Sequence, residues 1–216
     1  MKFYPLMINL EGRPVVIVGG GSVASRKAAG LIDAGALVTV IAPDFSDQMR
    51  DLKKRFPQNI ELVERVYRSG DISGPLLVFT AADDPSINRQ VSNDAQRMNL
   101  PVNNAADPEN SSFHVPSFMR KGDLILAVAT GGSSPAMAAR IRRDLEKHIP
   151  HNVEDMLFAL GRIRDILKSD AGYDGKTPKE RSEILAKIVH DDGLLGRITG
   201  FRDNDLKLRS IIDELM

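Results

Sequence analysis

Short apolar runs alternate with segments of helical spacing along the first part of the chain. The stretch Pro14–Val18 (PVVIV) is a continuous β-branched run, as expected of a strand buried on both faces of a parallel sheet. Over residues 22–34, small or apolar side chains recur at Val23, Ala24, Ala28, Leu31 and Ile32, which is one face of a helix. Gly35 follows, where a helix end favours a residue free to take positive φ. Leu37–Ala42 (LVTVIA) predicts a second buried strand, closed by Pro43. Together these make a βαβ unit.

The same reading predicts a helix over 45–56, strands over 60–67 and 76–81, and a helix opened by Asp83-Asp84-Pro85 that runs to about Met98. A short strand over 100–103 and another over 123–130 follow. Gly131-Gly132-Ser133-Ser134-Pro135 then opens a helix that runs to about His148. From His151 onward no strand-like run occurs. Charged residues interleave with Leu, Ile and Met at helical spacing, broken by a loop over 172–178, which predicts an all-helical region starting near Ile149-Pro150.

Composition narrows the function classes. In 216 residues, 29 basic and 29 acidic side chains cancel, so no global field favours nucleic acid or a membrane surface. The absence of cysteine excludes disulfides and thiolate chemistry. Four histidines (His114, His148, His151, His190) are not spaced like a zinc-binding helix, so no metal site is expected. The N-terminal apolar stretch from Met1 and Lys2 to Met7 is too short for a signal peptide. No run approaches the roughly 18 apolar residues of a membrane span. A soluble, cytoplasmic protein is expected.

The strongest motif is Gly19-x-Gly21-x-x-Ala24, placed after a buried strand and opening a helix. In that context the first glycine allows the turn, the second admits a pyrophosphate close to the backbone, and the small third residue lets helix and strand pack. Asp44 lies 20 positions beyond Ala24, where an acceptor for the adenosine ribose is expected; it could also cap the helix that follows it. No arginine precedes Arg50 here, so a preference for NAD over NADP is expected, a 2′-phosphate being repelled by the carboxylate.

The loop Val18-Gly19-Gly20-Gly21-Ser22-Val23-Ala24-Ser25-Arg26-Lys27 resembles that of the precorrin-2 dehydrogenase and sirohydrochlorin ferrochelatase family, the N-terminal module of sirohaem synthases. Further similarities lie in Tyr4-Pro5-Leu6 with Leu10, Val40-Ile41-Ala42-Pro43, Thr80 to Pro85 with Asn88, Ser112-Phe113, Pro116, and Thr130 to Pro135. The resemblance implies an NAD-dependent oxidation of precorrin-2 to sirohydrochlorin, with iron insertion in some members. It implies nucleotide contacts at Gly19, Gly21, Ser22, Val23, Pro43, Asp44 and Thr80. It also implies an α/β organisation: a Rossmann-type NAD-binding domain with a parallel sheet over 1–112, a dimerisation and substrate region over 113–149, and a C-terminal helical domain over 150–216.

One departure concerns catalysis. The family's loop reads roughly Asn-Val-x-Asp-x-Pro, whereas this chain has Asn103-Asn104-Ala105-Ala106-Asp107-Pro108. Ala106 therefore stands at the aspartate position, beside Asp107. Asp107 could take the role through a shifted loop, or be only a turn residue before proline. His114 could serve, since an imidazole suits proton transfer near neutrality. Alternatively no base is needed, or one activity, iron insertion, is lost.

The second glycine loop, Thr130, Gly131, Gly132, Ser133 and Ser134, reads as a capped helix start. It could also be an anion site for the many carboxylates of a tetrapyrrole substrate, with Arg140, Arg143 and Lys147 on one side of the helix. Met137, Ile141, Leu145 and Ile149 form an apolar stripe on another side, as core or as the interface of a homodimer. An NAD-binding sensor without chemistry is the alternative from another function class.

Overall fold

The computed structural model describes residues 3–216, so Met1 and Lys2 of the N-terminal stretch lie outside the described residues. The chain forms two compact units, Met1–Val115 and Pro116–Met216.

The first unit is a parallel sheet with helices on both faces. Its strands are β1 (Pro14–Val18), β2 (Leu37–Ala42), β3 (Ile60–Glu64), β4 (Leu77–Thr80) and β5 (Val102–Asn104), in the order β3-β2-β1-β4-β5. Neighbours pair in parallel throughout. Helices α1 (Ser22–Asp33), α2 (Asp47–Arg55) and α3 (Pro85–Arg97) make three of the four connections, and the crossover from β3 to β4 is irregular.

The two-residue period of the strands explains their continuous apolar runs. Val15, Ile17, Val38, Val40, Leu77 and Phe79 pack on one face with Ala24, Ala28 and Ile32 of α1 and Met49 and Leu52 of α2. Val16, Val18, Ile41, Val78 and Val102 face the other way, against Val91 and Ala95 of α3. A sheet covered on both faces admits no polar alternation. Strand order reverses between β1 and β4, which opens a crevice at their carboxyl ends, the usual ligand position in such sheets.

Strand β3 ends at Glu64, short of the alternating run to Tyr67, and β5 lies two residues along from the expected start at Leu100; both are edge strands. Beyond Glu64, the chain leaves the sheet and is tied down by Arg65, whose guanidinium meets Asp71 at 2.7 and 2.9 Å.

The second unit begins with an antiparallel pair, β6 (Ser117–Lys121) and β7 (Leu124–Val128), joined through Gly122 at φ +53°. The apolar run over 123–130 thus has a partner strand that its own pattern did not reveal. Helix α4 (Pro135–Glu146) follows, then α5 (Val153–Ser169), α6 (Pro178–Val189), α7 (Asp192–Gly200) and α8 (Asp205–Glu214). These last four share a core of Ile163, Leu167, Ile188, Ile198, Leu208 and Ile212. Helix α6 opens with a capping box in which Thr177 and Glu180 satisfy each other's backbone N–H groups, an arrangement that stops the first turn from fraying. Among the described residues no helix is long and apolar enough to cross a membrane.

Candidate functional site

The crevice at the carboxyl ends of β1 and β4 is built by three adjacent glycines with different duties. Gly19 sits at φ +124°, and a Cβ there would lie 2.4 Å from the Ala81 carbonyl oxygen at the end of β4. Both the conformation and the space demand glycine. Gly20 is constrained by space alone, since its Cβ would meet the Asp44 carbonyl oxygen at 2.0 Å. Its own carbonyl accepts from Ser46 N at 2.9 Å, which locks the glycine loop to the end of β2. Gly20 was not among the expected site residues, although its place between two motif glycines was the available signal.

Gly21 differs. It has open space above it and ordinary φ of −77°, so nothing inside the fold requires a glycine. It is the N-cap of α1 and has no side chain to cap with. The first bond of the helix runs from Ser25 N to the Gly21 carbonyl at 3.0 Å. The N–H groups of Ser22, Val23 and Ala24 therefore precede the intrahelical ladder and point out at the positive end of the helix. Ser22 and Val23 are exposed while Ala24 is buried against the sheet. Open space, outward N–H groups and a positive helix end fit the pyrophosphate of a dinucleotide.

At the end of β2, Pro43 and Asp44 are exposed. Asp44 does not stand alone, as the sequence reading supposed. Arg50, one turn into α2, donates to Asp44 Oδ1 at 2.8 Å, and Phe45 N donates to the same oxygen at 2.7 Å. Helical geometry brings Arg50 back over the turn despite six residues of separation, so the carboxylate at this strand end has a cation beside it.

Thr80 is also placed differently from expectation. It is fully buried, and its hydroxyl donates to Asn88 Oδ1 at 2.5 Å. Asn88 in turn accepts from Ala82 N at 2.9 Å and donates to Ala82 O at 2.8 Å. Thr80 thus shapes the β4–α3 turn against which Gly19 rests and does not present its hydroxyl to a ligand.

The loop after β5 carries both catalytic candidates. Asn104 Oδ1 accepts from Ala106 N at 3.0 Å and Asp107 N at 3.1 Å, folding the chain into a tight turn before a 3-10 turn over Pro108–Asn110. Ser111 and Ser112 then bring the chain back beside β5, their hydroxyls accepting from Asn104 N at 2.8 Å and Val102 N at 2.7 Å. Asp107 is half-buried, and its Oδ2 accepts from Asn110 at 2.6 Å. His114 Nε2 lies 3.1 Å from the Pro108 carbonyl, and its ring packs on Phe3 at 4.4 Å. A carbonyl only accepts, so Nε2 is the donor in this contact. Ala106 is exposed at the aspartate position.

In the second unit, the loop 130–134 does cap α4. Ser134 Oγ accepts from Met137 N at 3.2 Å, and Pro135 takes the first helical position. Gly131 and Gly132 both have positive φ, +63° and +91°. The Thr130 hydroxyl accepts from Ser134 N at 3.1 Å and donates to Ser134 O at 3.0 Å, and Ser133 N donates to Thr130 O at 3.1 Å. The N–H groups of Ser133 and Ser134 are therefore engaged within the loop. Arg140 and Lys147 both approach Asp144, at 3.9 and 2.9 Å. Met137, Ile141 and Leu145 are exposed.

A model of NAD(P)-binding proteins matches residues 6–117, and a model of the central region of sirohaem biosynthesis proteins matches residues 121–148. The sirohaem synthase of Pseudomonas fluorescens strain SBW25 is 39% identical over 168 residues, 78% of this chain and 36% of its own length. Siroheme synthase 2 of Aeromonas salmonicida strain A449 is 38% identical over 168 residues, again 78% of this chain and 34% of its own. The chain belongs to the family of the sirohaem synthase N-terminal module and the precorrin-2 dehydrogenases. It spans about a third of the length of the curated relatives it matches. A solved structure titled "SirC, precorrin-2 dehydrogenase" has the same fold, with a TM-score of 0.75 at 24% identity, over 98% of both chains.

Within this family frame, sequence reasoning also missed Lys27 and Asn103. Lys27, one turn into α1, donates to Asn103 Oδ1 at 2.8 Å and lies 5.1 Å from the Phe79 ring centroid. Burial, and then the neighbouring Arg26, hold its ammonium below the usual lysine range. A basic residue in the exposed-looking sequence Ser-Arg-Lys gave no periodicity signal that it turns inward.

Proposed function

We propose that this chain oxidises precorrin-2 to sirohydrochlorin with NAD as hydride acceptor. The observation that carries the reading is the Gly21 cradle: an uncapped helix start under open space, on a chain that also matches the central region of sirohaem biosynthesis proteins. Gly21, Ser22 and Val23 would hold the pyrophosphate through backbone N–H groups, and Gly19 would keep the loop against β4. Pro43 and Asp44 would take the adenosine ribose. Bound NAD supplies a carbon that accepts a hydride.

The oxidation removes two electrons with that hydride and releases one proton. Two groups on the β5 loop could receive it: Asp107, whose carboxylate is oriented by Asn110, and the His114 imidazole. Holding the macrocycle carbon against the nicotinamide supplies much of the rate, because positioning replaces a bimolecular encounter. Thr130, Gly131, Gly132, Ser133, Ser134 and Arg140 are proposed to contact the substrate's carboxylates, within the proposed substrate and dimerisation region 113–149. A homodimer is proposed from the exposed apolar side chains Phe118, Met137, Ile141, Leu145 and Phe158 of the second unit. Light scattering at micromolar concentration tests it, and a monomeric mass would refute it.

Iron insertion is proposed to be weak or absent, since Ala106 lacks the carboxylate. An anaerobic assay with precorrin-2, adding NAD and ferrous iron separately, tests the whole reading. NAD-dependent conversion to sirohydrochlorin is expected. Binding of NAD without turnover would refute it in favour of a sensor.

A further inference from the structure

Coenzymes with and without a 2′-phosphate differ by a dianion at the adenosine ribose, and the end of β2 presents both a carboxylate and a guanidinium there. Asp44 Oδ1 is occupied by Phe45 N and Arg50, while the carboxylate as a whole stays largely open to solvent, its side chain 84% exposed. Its second oxygen is thus available to a ribose hydroxyl. Arg50 is held from two directions: Nε donates to the Phe45 carbonyl at 3.2 Å and one terminal nitrogen reaches Asp44. Its guanidinium also lies 5.9 Å from the Phe45 ring centroid. Among the described residues the other terminal nitrogen of this planar guanidinium has no hydrogen-bond partner, and a guanidinium matches a phosphate's geometry.

We propose that the Asp44–Arg50 pair sets coenzyme selectivity, with Asp44 serving a free ribose and Arg50 receiving a 2′-phosphate, so that the chain binds both NAD and NADP. The pair is neutral as a unit. A 2′-phosphate arriving there exchanges the Asp44 carboxylate for itself as the partner of Arg50, while Asp44 keeps Phe45 N and faces solvent. A lone carboxylate would instead exclude the phosphate by charge. The proposal rests on the nucleotide reading of the Gly19–Ala24 loop and extends it to the second strand.

Calorimetric titration of the full chain with NAD and with NADP tests it. The two affinities are expected within about tenfold of each other. Arg50→Ala should raise the ratio of NADP to NAD dissociation constants by about tenfold, the value of one charge-assisted contact. Asp44→Ala should move the ratio the opposite way. Arg55→Ala, which removes a charge from the far end of α2, should leave it unmoved; a change as large as that of Arg50→Ala would mean bulk charge and overturn the pair's role. Arg50→Lys guards against a folding artefact, because it keeps the charge and should show an intermediate ratio. NAD binding with no change of ratio in Arg50→Ala would overturn this proposal while leaving the nucleotide site standing. Binding of neither coenzyme would overturn both.

Discussion

Lys27 and Asn103, 76 positions apart, are joined at 2.8 Å, and the bond links the helix that opens at the glycine loop to the strand that ends at the catalytic candidates. Asn103 passes the connection on, its amide donating to the Phe113 carbonyl at 3.0 Å next to His114. Phe113 packs edge-on against Phe79 at 5.3 Å, under the Lys27 ammonium. Lys27→Met should therefore loosen the β5 loop more than the fold. Losing the hydrogen bond and relieving the buried charge act in opposite directions, so global stability should move by no more than about 1 kcal/mol. Hydrogen exchange at Ala105 and Ser112, whose N–H groups bond to Thr80 and Val102, should quicken markedly. Unchanged exchange there with a large fall in melting temperature would make Lys27 a residue of the core and not of the loop.

The three glycines should separate folding from binding. At Gly20 a methyl group would collide with the Asp44 backbone, which cannot swing aside as a side chain could. Gly20→Ala is expected to destabilise the first unit by about 3 kcal/mol. Gly21→Asp meets no such obstacle and gives α1 a favourable N-cap. Its melting temperature should hold or rise while NAD affinity collapses, because the carboxylate takes the place of the pyrophosphate. Thermal melts and NAD titrations of the two variants check both halves. A destabilised Gly21→Asp would mean that its backbone serves the fold after all.

Two tyrosines should make the protein sensitive to alkali. Burial, and then the hydrogen bond to Asp94 at 2.9 Å, raise the Tyr67 phenol above its ordinary range. Tyr173, buried and donating to Asp213 at 2.8 Å, is pushed up to about 12. The unfolded chain releases both protons near its ordinary value of about 10, whereas the folded chain keeps them. Stability is thus fully present below pH 10 and falls as pH rises toward the folded values. Tyr67→Phe and Tyr173→Phe should each flatten part of that decline in denaturant titrations across pH 9 to 12. Tyr67→Phe should be mild at neutrality, since Asp94 retains Ser69 at 2.9 Å and Arg97 at 2.5 Å. A decline of equal steepness in both variants would place the alkaline sensitivity elsewhere.

The elements of the first unit were legible because a sheet covered on both faces writes itself as uninterrupted apolar runs, and Pro14–Val18 and Leu37–Ala42 fall where those runs lie. Strand β6 was not, since Ser117–Lys121 carries only Met119 as a buried apolar residue and its pairing with β7 is a tertiary fact. Gly19 and Gly21 could be named as site residues from spacing. What spacing could not give was direction: that Thr80 turns inward to Asn88, that Arg50 turns back onto Asp44, and that Lys27 dives beneath the sheet's end. Polar side chains have no periodicity that records their partners, so these contacts had no signature in the sequence.

Ala106 offers the sharpest test of how the two family activities divide. Hydride transfer leans on positioning, whereas iron insertion must also remove pyrrole protons, for which a placed base contributes on the order of 10²–10⁴-fold. The unmodified chain should therefore show NAD-dependent dehydrogenation with weak chelation. Ala106 is exposed, and only its N–H is engaged, by Asn104 Oδ1. A carboxylate there can extend toward solvent, and the turn should persist. Ala106→Asp should raise iron insertion by on the order of 10²-fold while dehydrogenation changes little. Asp107 is the competing explanation, its carboxylate one residue along and tethered to Asn110. If it already serves as the base, Asp107→Ala will abolish chelation and Ala106→Asp will add nothing. Robust iron insertion by the unmodified chain, unaffected by Asp107→Ala and by His114→Ala, would show that neither Asp107 nor His114 moves the pyrrole protons.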